Sequence, residues 1–234
     1  LPLGCIVLLL ACSGGGGSSN PPAPPVAVTV TPATATLGTT AACTAGNSRS
    51  FTATVANSGN GAVTWSVQEA GGGSVTSAGV YTAPTIPGTY HVVATAAADG
   101  SKAASATVTV MVPPAITTQP ANLSVATGAP ASFTVVASGG APLAYQWSRN
   151  GQPVAGGTAA TLTLASAQLA DSGASFQCAV TNPVGLATSQ SVLLSVASPV
   201  AITAFTAGQA QVDFGQSVQL SWALTGTPLA LALN

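Results

Sequence analysis

An all-β protein built of small tandem β-sandwich modules is the fold class that this sequence predicts, and three observations carry the prediction. The 234 residues are 47% hydrophobic but only 5% aromatic and 3% charged, so apolar mass comes mostly from Ala, Val and Leu with Thr and Ser between them. That is a poor recipe for charged helix surfaces, whereas 26 Gly and 17 Pro among frequent Thr and Val favour short strands joined by tight turns. Alternating segments also recur with a period of roughly 85 residues, too long for a solenoid unit and suited to a string of small β domains. The formal net charge is -1, from three Lys plus Arg against four Asp plus Glu. This leaves no basic stripe for phosphates and argues against nucleic acid as a partner.

The N-terminal run Leu3 to Ala11, LGCIVLLLA, is nearly all apolar and ends in a small residue. It reads as the h-region of an export signal, being far short of the roughly 20 apolar residues that span a bilayer. A short buried strand is the alternative, but the adjoining SGGGGSSNPPAPP cannot give it a hairpin partner. Leu9-Leu10-Ala11-Cys12 resembles the lipobox of bacterial lipoproteins. The resemblance implies that residues 1–11 are removed and that Cys12 carries the lipid, holding the protein on a membrane. By the same resemblance, Ser13 rather than Asp after the cysteine allows sorting to the outer membrane or cell surface, with the inner membrane left open. The run lacks an initiating Met and a basic n-region, so the signal is read as N-terminally incomplete. Residues 12–25 then form a tether, flexible where Gly and Ser dominate and stiffer through NPPAPP.

The first module is placed at 26–113. SFTATV puts Phe51, Ala53 and Val55 on one face, and TVTVMV does the same for Val108, Val110 and Val112. NSGNG at 57–61, GGGS at 71–74 and Ala98-Asp-Gly-Ser101 are its turns. AVTWSV followed by GVYTAPTIPGTYHVVATAAADGSKAASATVTV resembles the bacterial immunoglobulin-like domains found in tandem on surface proteins. Trp65 and Tyr90 are then expected as core anchors, and the insert around Cys43 departs from the pattern.

The second module, 115–197, resembles the I-set immunoglobulin pattern along its length. The residues that carry this are Trp147, as the strand C tryptophan, and Asp171-Ser-Gly173 ahead of strand F. Parity agrees: Tyr145 shares a face with Trp147, and Phe176 shares one with Cys178 and Val180. Two departures stand out. Val135 or its neighbour occupies the strand B cysteine position, leaving Cys178 as a small buried hydrophobe, and Phe176 stands where a tyrosine corner would. The structural core residues expected are therefore Trp65, Trp147, Phe176 and Cys178. From 200 to 234 the chain resembles the first strands of a third such module, incomplete at Asn234 and unable by itself to cover Phe205, Phe214, Leu220 and Trp222.

Cysteine usage fits this layout. Cys5 leaves with the signal and Cys12 takes lipid, while Cys43 and Cys178 lie in different modules and are not expected to bridge. The single histidine, His91, is on the parity opposite to Tyr90 and Val92 and should face solvent. Glu69 and Asp99 are read as turn residues with no catalytic role. No joint offers enough carboxylates for calcium, and no Cys/His spacing suggests zinc, so neither a metal nor a cofactor is expected. Arg49, Lys102 and Arg149 are read as isolated surface charges, and Asp171 as a turn cap. Two function classes emerge. One is a non-enzymatic, membrane-anchored surface lipoprotein whose modules act as stalk or adhesive surface toward a protein or glycan. The other is the N-terminal region of a larger exported enzyme, a glycan hydrolase or peptidase, with its catalytic domain beyond residue 234.

Overall fold

The computed structural model describes residues 23–40, 43–207 and 220–225. Cys5, Cys12, the tether to residue 22 and Phe214 lie outside them.

In the first module the order is β1 (Ala27–Thr31), β2 (Thr34–Gly38), β3 (Ser48–Ser50), β4 (Thr52–Ala56), β5 (Val63–Val67), β6 (Ser74–Val75), β7 (Val80–Thr82), β8 (Gly88–Ala96) and β9 (Ala103–Met111). β3 and β4 meet at Phe51, whose amide donates to the Gly79 carbonyl and carries the β3–β7 register one residue further before β4 turns to pair with β1. One layer is β2-β9-β8-β5; the other is built from β1-β4 and β3-β7-β6. The chain changes layers between β1 and β2: β1 pairs antiparallel with β4, whereas β2 pairs parallel with β9. Period-2 alternation is visible in the burial itself. Tyr90, Val92, Ala94 and Ala96 of β8 are buried, with the residues between them half-buried.

The core of this module gathers Val30, Leu37, Phe51, Tyr81, Tyr90, Val92 and Val108. Phe51 and Tyr81 meet edge to face, with ring centroids 6.4 Å apart. Trp65 differs from the expectation of a central anchor, being half-buried at the margin of the cluster. Its ring lies against Gly79, where φ is +79° and a Cβ would approach the indole at 3.1 Å. The turn therefore accepts the ring, and Phe51 and Tyr81 take the centre.

The second module repeats the plan with β10 (Ala115–Thr118), β11 (Leu123–Ala126), β12 (Ala131–Thr134), β13 (Val136–Ser138), β14 (Ala144–Arg149), β15 (Gln152–Pro153), β16 (Thr161–Leu164), β17 (Ser175–Asn182), β18 (Gly185–Thr188) and β19 (Val192–Ala197). β11-β19-β17-β14-β15 forms one layer, with β18 also paired to β17, and the β10-β13 and β12-β16 pairs form the other. β11 again runs parallel to β19. This is the immunoglobulin-like arrangement in both modules: a first strand split between two sheets packed face to face. Last come β20 (Ala201–Ala207) and β21 (Leu220–Thr225), an antiparallel pair with a register shift between Ile202 and Ala204.

Candidate functional site: the joint and the polar pairs

In the second module Trp147, Phe176 and Cys178 all lie in the core, at no more than 1% exposure. Trp147 stands opposite Cys178 in the β14–β17 register, and its indole N–H donates to the Ala159 carbonyl at 3.0 Å. Phe133 stacks on Phe176 with centroids 4.6 Å apart and approaches Trp147 at 6.3 Å. Val135 is buried in the same cluster. Cys178 is a free thiol, and burial pushes its pKa up, which suppresses the reactive thiolate. Its amide donates to Ser189 Oγ, and the Ser189 amide returns a bond to the Cys178 carbonyl, so both backbone groups of Cys178 are paired across the break between β18 and β19.

Two polar pairs correct the reading of isolated charges. Arg149 is bound to Asp171 through Nη2 to Oδ1 at 2.7 Å, and its guanidinium carbon sits 5.9 Å from the Phe176 ring centroid. Asp171 also accepts the Gln168 amide, and that bond together with Arg149 holds its carboxyl below the usual range. The arginine and the turn cap thus form one structural unit beside Phe176 of β17, and the number of intervening residues hid it.

The second correction concerns His91. It does face outward, but Glu69 meets it: the carboxylate accepts the His91 amide at 2.8 Å and lies 2.5 Å from Nδ1. The β5–β8 register pairs Val67 with Val92, and the Gln68 amide donates to the His91 carbonyl, so Glu69 falls beside His91 on leaving the strand. Sequence distance concealed a pairing that the β5–β8 register brings about. The Glu69 carbonyl accepts the Gly72 amide and the Gly72 carbonyl accepts the buried Tyr81 hydroxyl at 2.6 Å, tying the pair to the core. Burial drives the Tyr81 pKa up to about 12, so that hydroxyl remains a donor.

The bond to the His91 side chain, with the amide bond next, lowers the Glu69 pKa. A carboxyl with a depressed folded-state pKa adds stability above its unfolded value, about 4.3, and loses it as pH falls toward the folded value. The melting temperature of the first module should therefore fall on acidification below about pH 4.3, with a shallower decline in Glu69→Gln. Thermal scans between neutral and acid pH check this, and identical acid profiles for the two proteins would show that the pair adds nothing to acid sensitivity. Among the described residues no group of three or more His, Cys, Asp or Glu side chains could hold a metal ion. No helix among them is long and apolar enough to cross a membrane.

The insert around Cys43 is explained by the joint between the modules. The Thr44 amide donates to the Val184 carbonyl at 2.8 Å, so the loop after β2 reaches the tip of the β17–β18 hairpin in the next module. Asn182 Nδ2 donates to the carbonyls of Val112, at 2.8 Å, and Gly140, at 2.9 Å; the Gly140 amide also donates to Val112. Val184 is fully buried. A Cβ on Gly185 would come within 2.8 Å of Pro113 Cβ, so glycine is what lets the hairpin close on the Pro113-Pro114 link. Cys43 is buried beneath the loop, with its sulfur 3.4 Å from Thr40 Oγ1, in space left by the missing side chain of Gly38. The sequence signals for this joint are the Pro-Pro pair and the tight Asn182-to-Gly185 turn.

Residues 113–182 match the family model described as an immunoglobulin domain. No curated protein sequence is significantly similar to the chain. Among solved structures, a three-domain titin fragment, I67–I69 in an E-to-A mutated variant, superposes with a TM-score of 0.55. It is 18% identical, with 87% of this chain and 76% of that one covered. Extracellular domains 3–5 of Drosophila OTK give a TM-score of 0.50 at 18% identity, covering 72% of this chain and 61% of that one. At these identities the likeness establishes tandem immunoglobulin-like folds.

Proposed function

We propose that this chain is a non-enzymatic lipoprotein, anchored through Cys12 to the outer membrane or cell surface of a bacterium, whose modules serve as a stalk that presents binding surfaces. The observation that carries the reading is the order of its parts. A lipobox-like LLAC is succeeded by a Gly/Ser/Pro tether and then by two sandwiches bonded across their joint. A tether lifts the modules behind it away from lipid, and a bonded joint holds the second module at a set orientation; a spacer requires both. The polar pairs fit this role: each fixes a turn or strand against the core instead of opening onto a pocket. A ligand would be a protein or a glycan, since the sparse charge offers nothing to a nucleic acid.

Acyl chains contribute about 0.8 kcal/mol per buried CH₂, and two or more chains give stable anchoring. With a complete export signal supplied, Cys12→Ala should therefore move the protein from the membrane fraction to the soluble fraction and abolish labelling by a clickable fatty acid. Unchanged membrane association and labelling in that variant would sink the lipid anchor.

A further inference from the structure

A groove of about 360 Å³ runs along the first module between β2 and β3. These two strands belong to different layers, and each is the last strand of its sheet. Both borders of the groove are therefore unpaired strand edges, with backbone donors and acceptors open to an added strand. Exposed Thr34, Thr36 and Ser48 line it, buried Leu37 supplies an apolar floor, and Arg49 stands at its side. One end is closed by the Gly38 amide bonding to the Gly46 carbonyl at 2.8 Å.

The charge census singles out Arg49. The sequence has three cationic side chains besides His91. Arg149 is bonded to Asp171, and Lys102 is near enough to Asp99 to help lower its carboxyl pKa. The third described carboxylate, Glu69, is taken by His91. Arg49 lies on an exposed edge strand, and no carboxylate among the described residues forms an ion pair with it. Guanidinium is a planar fork that binds a carboxylate through two parallel hydrogen bonds, a match that a groove lined by hydroxyls and backbone groups does not itself provide.

We propose that this groove binds an extended peptide segment of a partner protein. The segment lies along the free strand edges and places an acidic side chain on Arg49. The backbone edges supply sequence-tolerant hydrogen bonds, Leu37 accepts a small apolar side chain, and Arg49 sets the requirement for a carboxylate. This gives a ligand class to the binding role proposed above and rests on that reading. Its test needs no membrane, so failure here leaves anchoring through Cys12 untouched.

The probes are a blocked nine-residue peptide of alternating Thr, Ser and Val with a central Glu, the same peptide with Gln in its place, and a sulfated glycosaminoglycan. Each is titrated into the purified chain and followed by amide NMR. Binding of the Glu peptide should shift amides at 34–37 and 48–50 and be about tenfold or more tighter than that of the Gln peptide, the scale of one charge-assisted bidentate pair. Arg49→Gln should erase that difference while keeping the melting temperature, because Arg49 has no ion pair to lose, and Arg49→Lys should restore part of it. Equal binding of the two peptides, indifference to Arg49→Gln, a response to the glycosaminoglycan alone, or no response to the Glu peptide at millimolar concentration would each overturn the proposal.

Discussion

Trp147→Ala should unfold the second module at a far lower denaturant concentration than the parent requires, and should do so without dissolving the first. The indole is fully buried, and its N–H holds the Ala159 carbonyl at 3.0 Å. Around it stand Phe133 at 6.3 Å between centroids and, across the ladder, Cys178. Truncation therefore leaves a large cavity and removes the bond to the Ala159 carbonyl, a cost of about 3–5 kcal/mol for the side chain plus the lost bond. Single domains have only about 5–15 kcal/mol in hand, so this approaches the whole stability of the module. The first module has a core cluster of its own, with none of these residues in it. Hydrogen exchange resolved by module during urea titration checks the expectation. A loss below about 1 kcal/mol in module two, or an equal loss in both modules, would show that the tryptophan is not its anchor.

The second large effect is on geometry. In Gly185→Val the new side chain meets Pro113 Cβ at a distance that real contacts do not reach, and Pro114 Cδ lies 3.0 Å from the same point. The hairpin tip must then lift from the link, breaking the Thr44-to-Val184 bond. Relative motion is the default for neighbouring domains with modest interfaces, so a few bonds across the joint decide whether the two move together. Alignment tensors measured for the two modules by residual dipolar couplings should agree in the parent and diverge in Gly185→Val. Asn182→Ala, which removes both side-chain bonds to Val112 and Gly140, should give an intermediate divergence. Tensors already different in the parent would show that the joint does not hold.

What the sequence disclosed was whatever local periodicity encodes. The alternation through Phe176, Cys178 and Val180, and through Val108 and Val110, appears as alternating burial in the structure. The Trp147 position was legible because the surrounding spacing resembles a known pattern. Pairings set by register between distant strands were not legible. Glu69 and His91 are 22 positions apart, as are Arg149 and Asp171, and a turn of unknown length separates the members of each pair. The Cys43 loop could not be read at all from one module, since its backbone partner, Val184, belongs to the next. Trp65 reads as central from the sequence because an aromatic lies inside a strand pattern, whereas the Gly79 turn accommodates it at the margin.

The lone thiol of the second module has a consequence for how that module comes to be folded. Val135 and Cys178 share one apolar cluster with no sulfur–sulfur bond between the layers, and Cys178 is a free cysteine with no exposed surface. Sandwiches stapled by a cystine depend on an oxidant and acquire the redox poise of their compartment as a condition of stability. Here apolar packing joins the layers without a cystine. Reducing surroundings find no disulfide to break in the folded module, and its one thiol lies out of reach of glutathione or a disulfide isomerase.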